Sequence, residues 1–204
     1  MKLPKHHKLI AFTGKKRSGK DTAFQTLKNH LYPDTKVIRI AFADEVKREC
    51  AKATGVSIEQ MDEQKDLFRP LYQWWGTDFR RLYNPDYWIK KWEYTVARTV
   101  NENDDKPLLI VVPDVRFLNE AAALKTWNNP LLIKVIRNDT YGKAGIIEQK
   151  TVMEEEDLTK LHKSETELDL IACSKVIYNT TIKAFESEII MAYDSWAKKF
   201  STTK

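Results

Sequence analysis

Gly14, Gly19 and Lys20 fit the pattern Gly-x-x-x-x-Gly-Lys inside the run Gly14-Lys15-Lys16-Arg17-Ser18-Gly19-Lys20-Asp21-Thr22. The spacing suits a backbone that curls around an anion. Glycine allows turns that a side chain would block, and several N–H groups then converge on one phosphate. Lys20 ends the curl with a compact cation able to reach the β- and γ-phosphates of a nucleotide. An apolar run, Lys8 to Thr13, precedes the loop and a helical pattern follows it, which is the context such a motif requires. After the lysine, where a Ser or Thr hydroxyl commonly meets magnesium, the chain has Asp21 and then Thr22. A carboxylate there can meet the ion directly or through water, or it can complement the positive end of a helix. Thr22 is a candidate contact of the α-phosphate.

Phosphoryl transfer asks little covalent chemistry of a protein. It asks for two anionic substrates held in line beneath several cations, with one carboxylate near the metal. Asp114 and Arg116 follow the apolar run Leu108 to Val112. Ligands of open α/β sheets sit at such strand ends. Asp114 is read as holding magnesium-bound water or orienting the acceptor phosphate, against a plainer role as cap of a helix beginning near Arg116. Arg116 can fork onto a phosphate as a lysine cannot. Arg137 ends another apolar run just where a long polar stretch opens, and can close over the γ-phosphate. Arg69, Arg80 and Arg81 lie in an aromatic-rich stretch that forms a natural acceptor-binding wall.

Elements must hold these residues in place. Lys8–Thr13, Lys36–Phe42, Leu108–Val112, Leu131–Ile136 and Lys175–Tyr178 read as strands, bounded by turn residues. Ser18 to Leu31 has helical spacing, with Ala23, Phe24, Leu27 and Leu31 on one face, and Pro33-Asp34 ends it. Asp44 to Val100 is helical, punctuated at Gly55, Pro70, Gly76 and Pro85. Phe117–Trp127 and Ile182–Phe200 are further helices. Strands that alternate with helices predict a three-layer α/β/α fold around a mostly parallel five-stranded sheet. Residues 1–204 form one domain. Residues 43–100 are its helical acceptor-binding region, and the polar stretch 138–166 is an inserted lid, long enough to be a functional flap.

Composition narrows the partners. The 204 residues are 42% hydrophobic and 31% charged, with a net charge of +5. That suits an anionic partner. The apolar runs are too short to span a bilayer and the basic start leads into a strand rather than a cleavage site, so the expected location is the cytoplasm. Cys50 and Cys173 stand far apart and are read as reduced, buried hydrophobes. The four histidines lack metal-ligand spacing, which leaves magnesium carried by a nucleotide as the expected ion. Bases outside the loop are scattered among acids, which argues against nucleic acid as partner.

The Ser18–Thr22 run, with Lys15, Lys16 and Arg17 ahead of it, resembles the loop of bacteriophage deoxynucleoside monophosphate kinases. Arg69-Pro-Leu-Tyr-Gln-Trp-Trp-Gly76-Thr77-Asp78, followed by Asp86-Tyr87-Trp88, is similar to that family's substrate segment. Val111-Val112-Pro113-Asp114-Val115-Arg116 with Asn119-Glu120 is similar to its second strand end, and His162–Leu168 with Val176–Asn179 to its close after the lid. Animal-type phosphomevalonate kinases share several of these pieces. The resemblance implies a P-loop kinase fold with ATP and magnesium as donor, a deoxynucleoside monophosphate as acceptor, and a homodimer. It draws Gly76 and Glu120 into the acceptor site, while His162, Ser164 and Glu165 fit its motif after the lid or, apart from it, read as a helix start. Under it, Tyr72 or Trp75 stacks on the acceptor base or packs in the core, and Gln73 and Asp78 hydrogen-bond base or sugar. Asp86 and Tyr87 contact the sugar or pack locally, and Asn179 meets the donor adenine or serves as a turn residue. Lys143 and Lys150, on the flap, and the acidic run Glu154–Asp157 read as solvated.

Overall fold

The computed structural model describes residues 7–103, 106–127, 129–138 and 167–201. The lid stretch 138–166, with Lys143, Lys150, His162, Ser164 and Glu165, lies outside the described residues except for Asn138. The elements run β1 (Lys8–Thr13), α1 (Lys20–Leu31), β2 (Lys36–Arg39), α2 (Phe42–Thr54), α3 (Ile58–Glu63), α4 (Lys65–Gln73), a π-helix (Trp74–Phe79), α5 (Arg80–Tyr83) and α6 (Tyr87–Asn101). There follow β3 (Leu108–Val115), α7 (Leu118–Lys125), β4 (Leu131–Arg137), a 3₁₀ turn (Glu167–Leu170), β5 (Lys175–Asn179) and α8 (Ile182–Ser201).

The sheet has five strands in the order β2-β3-β1-β4-β5, and every pairing is parallel. Successive side chains of a strand point to opposite faces. Leu9, Ala11, Leu108, Ile110 and Val112 therefore enter one core with α2, α6 and α7, where Phe42, Trp92 and Leu124 meet them. Ile10, Phe12, Leu109, Val111 and Val135 enter a second core with Leu27 of α1 and Phe185 and Ile189 of α8. Burial on both faces explains why these strands read as continuous apolar runs. The expected three-layer α/β/α fold is thus observed, with β1 at the centre and its C-terminal end carrying the glycine loop.

Some features differ from the sequence reading in ways that bear on the site. β2 stops at Arg39, because α2 begins at Phe42. β3 continues through Pro113 and Asp114 to Val115, so Asp114 lies within the strand end instead of beyond it. Pro70 and Gly76 do not break the helical region: Pro70 sits inside α4, and a π-helix follows. Gly76 is buried there against Val46, and its carbonyl accepts a hydrogen bond from the Trp88 indole at 2.7 Å. The wider turn leaves that carbonyl to a side chain, so the chain bends without an orphaned polar group.

Cys50 and Cys173 are free thiols. Burial, with the nearby charge of Glu49, pushes the Cys50 thiol up to about 11, which makes it unreactive. Among the described residues no helix is long and apolar enough to cross a membrane.

Candidate active site

The loop between β1 and α1 needs three positive-φ residues: Gly14 (143°), Arg17 (62°) and Gly19 (114°). A side chain would collide with its surroundings at both glycines. A Cβ on Gly14 would stand 2.3 Å from the Val135 carbonyl oxygen, and one on Gly19 would stand 2.4 Å from Asn179 Nδ2. Lys20 folds back over the curl, and its ammonium donates to the carbonyls of Gly14 (2.8 Å) and Lys15 (2.7 Å) and to Ser18 Oγ (3.3 Å). Lys15, Lys16, Arg17, Asp21 and Thr22 are exposed, and Ser18 is buried. Asp21 lies in the first turn of α1, where its charge complements the helix end.

Two predicted residues meet the loop from the neighbouring strands. Arg137, the last residue of β4, donates to the Arg17 carbonyl at 3.4 Å. Asn179, at the end of β5, donates to the Ser18 carbonyl at 2.9 Å and packs against Gly19. Its amide therefore braces the back of the loop, a role that neither sequence-based reading gave it. On the other flank, Lys16 reaches Asp66 of α4 at 3.4 Å, which links the loop to the helical region.

Asp114 caps a helix, though not the one expected. Its two oxygens accept from the backbone N–H groups of Phe42 (3.0 Å) and Ala43 (2.8 Å), at the start of α2. Burial pushes its carboxyl up, partly offset by those two hydrogen bonds. Beside it stands Arg39, a residue the sequence reading passed over. Arg39 pairs with both oxygens of Asp44 at 2.9 and 3.1 Å. Burial works against its charge, but the Asp44 bond and the fields of Asp44, Asp114 and Asp21 hold its guanidinium above the ordinary value. The signal for it was available: it ends the second parallel strand, on the ligand-binding edge of the sheet.

Arg116 follows β3, with its N–H held by Glu120 at 2.8 Å. Glu120 itself is 1% exposed. It also accepts from the Phe117 N–H (3.2 Å) and pairs with Arg81, whose guanidinium lies 3.9 Å from the Phe117 ring centroid. A carboxylate so enclosed has its oxygens engaged by the protein itself in this structure. Burial pushes its carboxyl up and Arg81 pulls it back.

The remaining acceptor candidates divide. Gly76 is buried against Val46. Tyr72 turns its hydroxyl into the helical region: Oη is buried without a hydrogen bond, and burial with the nearby charges of Asp62 and Cys50 raises its pKa. Asp86 accepts from Asn119 Nδ2 at 2.9 Å, in the seam with α7. Arg69 and Gln73 lie half-buried on α4, and Asp78 is exposed in the π-helix. Trp75, Arg80 and Tyr87 converge on Glu49, a residue with no signature in the sequence.

Among the described residues no group of three or more His, Cys, Asp or Glu could hold a metal ion. A hard cation that arrives with a nucleotide needs only one or two protein oxygens. Asp21, exposed at the loop's end, fits that need, whereas both Asp114 oxygens are engaged by α2.

Parallel sheet, loop and braced lysine define a P-loop kinase of small-molecule substrates. The chain belongs to the phosphomevalonate kinase family, whose model matches residues 12–129, more than half of its length. Among solved structures it is similar to TT1252 from Thermus thermophilus, with a TM-score of 0.50 at 16% identity over 93% of this chain and 97% of that one. A shikimate kinase from Aquifex aeolicus gives 0.45 at 15% identity over 93% and 98%. At such identities the likeness concerns the fold alone. Comparison with curated proteins gives no match.

Proposed function

We propose that the chain transfers the γ-phosphoryl group of ATP to a deoxynucleoside 5'-monophosphate, giving the diphosphate. The carrying observation is the Lys20 ammonium, set over the curled loop at the junction of β1 and α1. From there it can exchange the Gly14 and Lys15 carbonyls for β- and γ-phosphate oxygens, while the backbone N–H groups of the loop and the start of α1 hold the phosphates. Arg137, already at the loop, screens the transferring group. Arg39 and Arg116, at the ends of β2 and β3, hold the acceptor phosphate in line. Magnesium on the nucleotide supplies further neutralisation of the phosphate charge, with Asp21 as its protein contact. The acceptor reading is supported by the flat aromatic surfaces of the helical region, where Trp74, Trp75, Phe79 and Tyr83 pack ring to ring. Such surfaces suit a base better than a branched aliphatic chain.

A second reading, phosphorylation of phosphomevalonate, is favoured by the family match, which spans the entire helical region. A coupled assay with ATP and magnesium, with each deoxynucleoside monophosphate and phosphomevalonate in direct competition, separates the two. Turnover of phosphomevalonate alone would overturn the nucleotide reading. Under either, Lys20→Ala and Arg116→Ala each lower kcat/KM by about a hundredfold or more. Their melting temperatures should stay within a few degrees of the parent.

A further inference from the structure

Glu49 lies on α2 where that helix meets the π-helix, α5 and α6, and its side chain is 15% exposed. Oε2 accepts from the Trp75 indole (2.9 Å) and from Arg80 Nε (3.0 Å). Oε1 accepts from the Tyr87 hydroxyl (2.5 Å) and the Lys91 ammonium (2.8 Å). One carboxylate thus ties together side chains from three elements and compensates two cations. Three of the four tied residues are those the sequence pointed to as acceptor contacts.

Arg80 is the most constrained of them. Its Nε and Nη2 edge faces Glu49, and its guanidinium carbon stands 5.1 Å from the Trp75 ring centroid and 4.9 Å from that of Tyr87. A guanidinium has five N–H donors in a rigid fork. Among the described residues, side-on pairing leaves the Nη1 end with no hydrogen bond to the protein, while the rings on its faces limit rotation. A cation fixed in this way has already lost the side-chain freedom that binding would otherwise cost.

We infer that Glu49 is a positioning residue for the acceptor: it presents the Nη1 end of Arg80 to the acceptor's phosphate and fixes Trp75 and Tyr87 as the flanking walls. This rests on the proposed phosphorylation of a small monophosphate and adds the residue that organises its binding wall. A purely structural role would cost stability and leave substrate kinetics alone. A positioning role would move one kinetic constant selectively.

Steady-state kinetics of the full chain, on whichever acceptor the parent turns over, test the difference. Glu49→Gln keeps the size of the side chain and removes its charge. It should raise the acceptor KM about tenfold, with kcat and the KM for ATP moving less than about twofold. Arg80→Ala should give a similar rise, and the double variant should be no worse than Arg80→Ala alone, because both act through one contact. A fall in melting temperature with an unchanged acceptor KM would overturn the inference, as would fully additive effects. If the parent turns over no monophosphate, the proposed function fails and this inference falls with it. Parent turnover with an unmoved KM in Glu49→Gln defeats the inference alone.

Discussion

Acid acts on the carboxylates of this protein in two directions. Burial pushes the Asp114 and Glu120 carboxyls up, so their charged forms are disfavoured by the fold. Burial would raise Glu49 too, but the hydrogen bonds from Lys91, Tyr87 and Trp75 outweigh it and bring the carboxyl down to about 2. A depressed carboxylate contributes stability that is fully present above its unfolded value, near 4.5, and is lost as the pH falls through about 2. The stability gap between the parent and Glu49→Gln should therefore be constant from pH 7 to about 5 and narrow below about 4.5. Urea unfolding at pH 7, 4 and 3 measures it, and a gap that widens on acidification would contradict the assignment. Glu49 was illegible in the sequence for a physical reason. A lone glutamate on a helix looks solvated, and its partners Trp75, Arg80 and Tyr87 stand 26, 31 and 38 residues further on. Glu120 differs in the opposite sense: a polar residue beside a strand end invites a functional reading, and its burial with Arg81 has no signature in the sequence.

Among the elements, the loop was the most legible, since its glycines answer to local backbone demands. The inner strands β1, β3 and β4 were legible as well, because burial on both faces leaves no polar alternation to confuse them. The π-helix was not. Proline and glycine usually punctuate, and nothing local announces that Trp88 will satisfy the Gly76 carbonyl. The two loop glycines should also differ in kind. At Gly14 a methyl group would meet the carbonyl of Val135, part of β4, and could be accommodated only by disturbing that strand. At Gly19 it would meet the Asn179 side chain, which can swing aside at the expense of its bond to Ser18. Gly14→Ala should lose more than about 2 kcal/mol of stability in chemical denaturation. Gly19→Ala should keep more of its stability while losing nucleotide binding, as read by calorimetric titration.

Across the whole molecule, the ion pair between Arg81 of α5 and Glu120 of α7 is the most buried of those described, with side chains 11% and 2% exposed. Arg81→Ala would leave the Glu120 carboxylate enclosed with only backbone donors. A loss of about 3–5 kcal/mol in urea unfolding is expected, whereas Arg98→Ala, whose pairing with Glu102 is solvent-exposed, should cost less than about 1 kcal/mol. The Lys20 ammonium carries a different kind of consequence. Because the loop's own oxygens already hold it, the protein acts as a built-in competitor for its substrate. Nucleotide affinity is then the difference between two occupied states, and product leaves into a site whose lysine has somewhere to return. Under the proposed function, turnover would gain from that arrangement even as equilibrium binding would be weakened by it.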